Sequence, residues 1–210
     1  MPRKGLLFVV SGPSGAGKGT LCQDLLRRRP GLRFSVSVTT RSPRVGEVDG
    51  VHYFFWSRER FLEAAGRGYF LEWAEVYGNY YGTPVAEVES ALEAGSDVLL
   101  DLDIRGARQV KEKVPDAVLI FILPPSLDAL HERISRRGTE TEQERRLRLE
   151  AASGFLKAAR DFDYIVLNDI LEEAGRVLDA IITAERCRTS RQLHLIDDLM
   201  RTGPGRGKEE

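Results

Sequence analysis

At 210 residues, with 42% hydrophobic and 30% charged residues, the chain is long enough to bury one sizeable core and too short for a second full domain. A formal net charge of -1 excludes a global pull toward nucleic acid or an anionic membrane, so an anionic ligand must be met by basic residues gathered locally. Cys22 and Cys187 lack metal-type neighbours, and the apolar stretch near the N-terminus is too short for a signal peptide or a membrane span. A reduced, cytoplasmic protein, monomeric or homodimeric, is therefore expected.

In chain order, "LLFVV" at 6–10 reads as a buried strand, followed by the glycine-rich "SGPSGAGKGT" and a helix over 18–29. The stretch from 34 to 83 breaks this rhythm. "FSVSVTT", "YFF" and "FLEWAEVY" are short strand candidates between turns, as in an inserted, mostly β subdomain. A helix over 84–94, a strand over 98–103 and a strand over 117–123 follow. Helices over 126–137 and 142–160, a strand over 164–168 and a helix over 171–186 come next, and the tail from about 202 reads as disordered. Strands alternating with helices predict an α/β fold whose parallel sheet is flanked by helices on both faces.

Between the first strand and the first helix, Gly12, Gly17 and Lys18 satisfy G-x-x-x-x-G-K. Glycines there let backbone N–H groups curl around phosphate oxygens, and the helix dipole favours their charge. Pro13, Ser14, Gly15, Ala16, Gly19 and Thr20 complete the loop, and Lys18 would reach the β- and γ-phosphates. The strict pattern places a metal-binding Ser or Thr directly after the lysine, where this chain has Gly19. Thr20 would then meet phosphate, or share the metal with water and a strand-end acid, for which Asp101 and Asp103 are placed.

The loop identifies only phosphate binding, since switches, motors and small-molecule kinases all carry one. In "SVSVTTRSPRVGEVDGVHYFF", Arg41, Arg44 and Tyr53 form a set suited to a phosphomonoester, because guanidinium groups bind its oxygens in pairs. In "FLEWAEVYGNYYGTP", Glu72 stands in a strand candidate and the turn "GNYYGT" delivers Tyr81 and Thr83. A carboxylate can accept from guanine N1–H and its 2-amino group together, with Ser37 or Thr83 serving O6; adenine offers no such donor pair. Glu72 as a surface strand residue is the competing reading. His52, His131 and His194 have no catalytic context.

The blocks "GPSGAGKGT", "SVSVTTRSPRVGEVDGVHYFF", "FLEWAEVYGNYYGTP", "DLDIRGA", "FILPPS", "RRGTETE" and "YIVLND" occur in order over about residues 6 to 186, and in this the chain resembles guanylate kinases. The resemblance implies a P-loop kinase core at about 4–33, 84–135 and 155–190, a GMP-binding subdomain at about 34–83 and a helical lid at about 136–154. It implies ATP and GMP, with dGMP as a further acceptor, as substrates, and Mg²⁺ as cofactor with ATP. Ser37, Glu72, Thr83 and Asp103 match guanine contacts, and Arg41, Arg44, Tyr53 and Tyr81 match contacts to the GMP phosphate. Arg137 and Arg148 match lid arginines that contact the transferred phosphate, where Lys18 also acts; Arg41 and Arg44 would orient the attacking GMP phosphate, and Asn168 matches a residue near adenine. Arg105 stands where the family usually has Gln. Another nucleoside monophosphate kinase shares the loop but not the setting of Glu72. An inactive, protein-binding relative would have lost Gly12, Gly17 and Lys18, which this chain retains.

Overall fold

The computed structural model describes residues 4–76, 78–130 and 154–202. In chain order, β1 (Leu7–Ser11) leads through the glycine loop into α1 (Lys18–Arg28). Then come β2 (Leu32–Phe34), β3 (Val38–Thr39), β4 (Phe54–Phe55), α2 (Arg58–Gly66), β5 (Phe70–Val76), β6 (Asn79–Pro84) and α3 (Val85–Glu93). The chain continues with β7 (Asp97–Asp101), α4 (Ile104–Lys113), β8 (Val118–Leu123), β9 (Tyr164–Leu167), α5 (Leu171–Arg186) and α6 (Thr189–Thr202).

Five strands form one sheet in the order β2-β7-β1-β8-β9, and every pairing in it is parallel. β1 is buried on both faces because its apolar side chains alternate between two cores. Phe8 and Val10 pack with Leu21 and Leu25 of α1 and Leu178 and Ile182 of α5. Leu7 and Val9 pack on the other face with Val88 and Leu92 of α3 and Ala107 and Val110 of α4. The α/β architecture with helices on both faces is thus present.

A second, mixed sheet of order β4-β3-β6-β5 has its own small core of Val38, Phe61, Phe70 and Tyr80. Phe61 stacks on Phe70 at 4.4 Å and on Tyr80 at 5.3 Å between ring centroids. Its arrangement fits the inserted β-rich segment expected from the sequence.

Several local expectations are corrected. "FSVSVTT" is not one strand: β2 ends at Phe34 and belongs to the parallel sheet beside β7, while β3 belongs to the second sheet. The segment read as the turn "GNYYGT" is mostly strand β6, paired antiparallel with β5. α2 lies within the region read as mostly β, started by Ser57, whose side chain accepts from Arg60 N. α4 was not anticipated from the sequence; Asp103 ends its extended approach and caps it by accepting from Gly106 N at 2.7 Å. The strand read over 98–103 stops at Asp101, because that cap takes Asp103 out of the sheet. Residues 127–130 and 154–158 are helical, in line with the helices read there. The remainder of those helices, Arg137, Arg148, His131 and the tail beyond 202 lie outside the described residues. Among the described residues no helix is long and apolar enough to cross a membrane.

Candidate active site

At the carboxyl ends of β1 and β7, between the two sheets, opens a cavity of about 800 Å³. Gly12, Pro13, Ser14, Gly15, Gly17, Lys18, Gly19 and Thr20 line one side, Ser37, Tyr53, Glu72 and Tyr81 the other, and Asp101 and Asp103 also line it. Residues far apart in sequence are therefore brought to one space, at the end of a parallel sheet where ligands commonly bind.

The glycine loop is held from beneath. Gly17 is the N-cap of α1 at φ 87°, a left-handed conformation, and no side chain caps that helix end. Asn168, at the end of β9, is 4% exposed, and its Nδ2 donates to Ala16 O at 2.6 Å. A Cβ on Gly17 would collide with that same Nδ2, so glycine is required by both backbone angle and close approach. Ala16 is fully buried and Asn168 is turned into the loop, so neither lines the cavity. The sequence reading placed Asn168 near adenine; in the structure its Nδ2 supports the loop. Lys18 curls over the mouth, its Nζ donating to Gly12 O at 2.9 Å and Pro13 O at 3.3 Å. Those carbonyls hold the ammonium where an incoming phosphate would meet it.

Asp101 closes the far side of the loop. A Cβ on Gly19 would stand 3.9 Å from Asp101 Oδ2, in ordinary contact, so the loop lies directly beside this carboxylate. Burial pushes the Asp101 carboxyl above its ordinary value, with Lys18 acting in the opposite direction. The same carboxylate, after burial, raises the Cys22 thiol. Thr20 is exposed into the cavity. Among the described residues no cluster of three or more His, Cys, Asp or Glu could hold a metal alone. One carboxylate and one hydroxyl beside a phosphate loop fit a hard cation such as Mg²⁺ only when phosphate oxygens and water supply most of its ligands. Asp103 does not join this set, since Oδ1 caps α4 and Oδ2 lies 3.5 Å from Arg105 Nε.

Glu72 is only 5% exposed, in contrast to a surface strand residue. The register of β5 against β6 shifts between Phe70 and Glu72, so that Phe70 faces Pro84 while Glu72 faces Thr83. That bulge buries Phe70, Leu71 and Glu72 in succession and aims the carboxyl inward. Thr83 Oγ1 donates to Glu72 Oε1 at 2.7 Å, while Oε2 lies above Gly106. Burial drives the Glu72 carboxyl from 4.5 up to about 7; the Thr83 bond opposes this and the Asp103 carboxylate adds to it. Of the two hydroxyls expected to meet a base oxygen, only Ser37 lines the cavity. Thr83 is fully buried, and its proton is committed to Glu72.

Beside this carboxyl lies the basic and aromatic cluster. Arg41 donates through Nη1 to Glu47 Oε2 at 2.7 Å and through Nη2 to Oε1 at 2.8 Å, a paired fork. Arg44 N donates to the same Oε2 at 2.7 Å. The Arg41 guanidinium lies 5.3 Å from the Tyr53 ring centroid, and Tyr53 meets Tyr81 edge-on at 6.0 Å. Tyr53 and Tyr81 line the cavity, whereas Arg41 stands behind them and the Arg44 side chain is exposed. Sequence reasoning missed Glu47, although its signal was present: an acid six residues after Arg41 and three after Arg44 in "RSPRVGE". Its bond to Arg41 foremost, then the Arg44 amide, holds the Glu47 carboxyl down at about 2. Arg105 donates to Glu75 O at 3.2 Å and pairs with Asp103, so it bears on the site through Asp103.

Against this geometry, the family model described as guanylate kinase matches residues 4–185. A guanylate kinase of Desulfitobacterium hafniense is 53% identical over 188 residues, covering 90% of this chain and 94% of its own. One of Symbiobacterium thermophilum is 52% identical over 201 residues, covering 95% of each chain. Among solved structures, guanylate kinase from Anaplasma phagocytophilum superposes with a TM-score of 0.79 at 33% identity, covering 98% of each chain.

Proposed function

Because the chain belongs to the guanylate kinase family, we propose that it transfers the γ-phosphoryl group of ATP to GMP, giving ADP and GDP. The observation that supports this reading best is the buried Glu72 carboxyl facing the same cavity as the glycine loop, since guanine alone among the common bases presents two adjacent donors to a carboxylate. Ser37 offers a hydroxyl for O6, and Asp103 lines the same end. Arg41, Arg44, Tyr53 and Tyr81 are assigned to the acceptor phosphate. The second sheet and α2 form the acceptor subdomain in this reading, and dGMP is a further acceptor because these contacts spare the sugar.

Phosphoryl transfer requires alignment and charge neutralisation more than covalent help from the protein. Gly12 to Thr20 would hold the ATP phosphates, with Lys18 moving from the loop carbonyls to the transferring group. Arg137 and Arg148 are assigned to that group from the lid, where closure excludes water as a competing acceptor. Thr20 and Asp101 would help hold Mg²⁺, which supplies charge neutralisation to the phosphates when bound. No histidine is needed: His52 is exposed, and its Nδ1 accepts from Val48 N. The reaction is placed in the cytoplasm, which suits the free thiols of Cys22 and Cys187.

The test is direct quantification of ADP formed from MgATP with AMP, GMP, dGMP, CMP, UMP or dTMP as acceptor. Turnover selective for GMP is expected; preference for another base, or no turnover with any, overturns the reading.

A further inference from the structure

Resting on that reading, we propose that Gln109 is a positioning residue for phosphoryl transfer: with Arg105 and Lys113 it clamps the open edge of β5 to α4, and so holds the acceptor subdomain in register with the phosphate loop.

β5 is the last strand of the second sheet and pairs with β6 on one side only. An open strand edge leaves a row of backbone donors and acceptors to be met by something other than a strand. α4 meets them with side chains. Arg105 Nη2 donates to Glu75 O at 3.2 Å, and Lys113 Nζ donates to Phe70 O at 3.2 Å. Between them, Gln109 Oε1 accepts from Trp73 N at 3.2 Å while its Nε2 donates to Trp73 O at 3.1 Å. Gln109 thus answers both the N–H and the C=O of one residue, as a neighbouring strand would.

The spacing of the helix matches that of the strand. Residues 105, 109 and 113 share one face of α4, each about 6 Å along the axis from the next. Two strand residues rise about 6.6 Å. The step from Glu75 to Trp73 is two residues, whereas the step from Trp73 to Phe70 is three. The register shift between Phe70 and Glu72 takes up the extra residue.

The bodies joined by this ladder are separately built. α4 packs Ala107 and Val110 into the core of the parallel sheet. The second sheet has its own core of Val38, Phe61, Phe70 and Tyr80, and it brings Ser37, Tyr53 and Tyr81 to the cavity. The chain crosses between the two over 35–37 and again at Pro84, where β6 runs directly into α3. Two points of attachment define an axis but not an angle about it. Leu71 of β5 also reaches into the core of the parallel sheet, yet apolar contact is non-directional. The ladder supplies directional bonds, on the strand whose Glu72, Ala74 and Val76 line the cavity. Loosening it leaves the GMP contacts assigned to the second sheet in place and changes how the acceptor phosphate faces the donor. The effect therefore falls on turnover more than on affinity.

The experiment uses Gln109→Met, which keeps side-chain length and helix propensity and removes both bonds. Amide hydrogen exchange on the ligand-free protein reports the clamp itself: the Trp73 N–H should exchange about tenfold faster or more. With MgATP and GMP, kcat is expected to fall about tenfold or more, while the Kd for GMP and for a non-hydrolysable ATP analogue, each measured alone by calorimetry, stays within about threefold. Gln109→Glu, which still accepts from Trp73 N but cannot donate to its carbonyl, should lie between wild type and Gln109→Met. Faster exchange with unchanged kcat would reduce the ladder to a cover for the strand edge and overturns the proposal, as does unchanged Trp73 exchange in Gln109→Met. A Kd for GMP that rises in step with the loss of kcat also overturns it, by placing the damage inside the acceptor pocket. Absence of turnover by the wild type with every acceptor overturns the phosphotransferase reading and this role with it, while exchange alone still reports the clamp.

Discussion

The Glu72 carboxylate lies directly over the backbone of Gly106: a Cβ there would stand 2.7 Å from Oε2 and 3.4 Å from Asp103 Oδ1. No flexible tail absorbs such a contact, since Glu72 is itself fixed by Thr83. Alanine favours a helix interior over glycine by about 1 kcal/mol, so Gly106→Ala should not weaken α4. It should displace the carboxylate instead. The expected outcome is a KM for GMP raised by about tenfold or more, the cost of a misplaced buried hydrogen-bond partner, with the KM for ATP nearly unchanged. Steady-state kinetics with each substrate varied in turn checks this, and equal effects on both substrates would contradict the local contact.

The same carboxyl makes the ligand-free protein sensitive to pH. Its folded value, about 7, lies above the ordinary 4.5, so the native state binds this proton more tightly than the unfolded chain. Its contribution is most favourable below about 4.5 and declines as pH rises toward 7, after which it is level. One pKa unit is about 1.4 kcal/mol, so the decline is on the order of 3 kcal/mol. Urea midpoints for wild type and Glu72→Gln should converge in acid and separate above neutrality, with the variant the more stable there. A constant difference across pH would show that Glu72 titrates normally.

The features that fix this pocket were unevenly legible in the sequence. The phosphate loop was readable because its chemistry is local: Gly12, Gly17 and Lys18 lie within one turn between a buried strand and a helix. The strands of the parallel sheet were readable from apolar runs, yet β2 was not, because three residues with only Leu32 buried carry no periodicity. α4 was hidden by Gly106, a poor helix former retained at the close approach of Glu72. The inward aim of Glu72 depends on a register shift in β5, which strict alternation does not anticipate. The loop support from Asn168 joins residues 152 positions apart, a pairing only the folded chain reveals.

That long-range support leads to a test of the donor side. Asn168 is buried, and its amide satisfies Ala16 O at 2.6 Å. In Asn168→Ala that carbonyl loses its partner, which typically costs about 1–3 kcal/mol. Because Ala16 precedes the left-handed Gly17, the loop's N–H groups lose their alignment together. The KM for ATP should rise several-fold, by roughly 1 kcal/mol of binding, while the KM for GMP stays within about twofold. Isothermal titration with a non-hydrolysable ATP analogue and with GMP separates the two sites; a larger loss for GMP would place Asn168 on the acceptor side.

On the proposed acceptor side, Arg41 and Glu47 form a paired fork. A guanidinium carries five donors; Glu47 takes one from each Nη and Ser42 O takes a second from Nη1 at 2.8 Å, so the group is held on several sides. The Arg44 amide pins Glu47 in turn, so the fork is set by backbone as well as by charge. Glu47→Gln keeps the volume but removes the charge and one acceptor. Arg41 should then lose its fixed orientation over Tyr53, raising the KM for GMP by about five- to twentyfold, or roughly 1–2 kcal/mol in binding. The sign of the pH dependence follows from the lowered carboxyl. Its contribution is fully present above 4.5 and is lost only as pH falls toward about 2, so the effect of the substitution should be constant from mildly acid to alkaline pH. That constancy separates Glu47 from Glu72, whose effects change through neutrality. A KM for GMP that falls in Glu47→Gln would mean that the carboxylate competes with the acceptor phosphate rather than orienting the arginine that receives it.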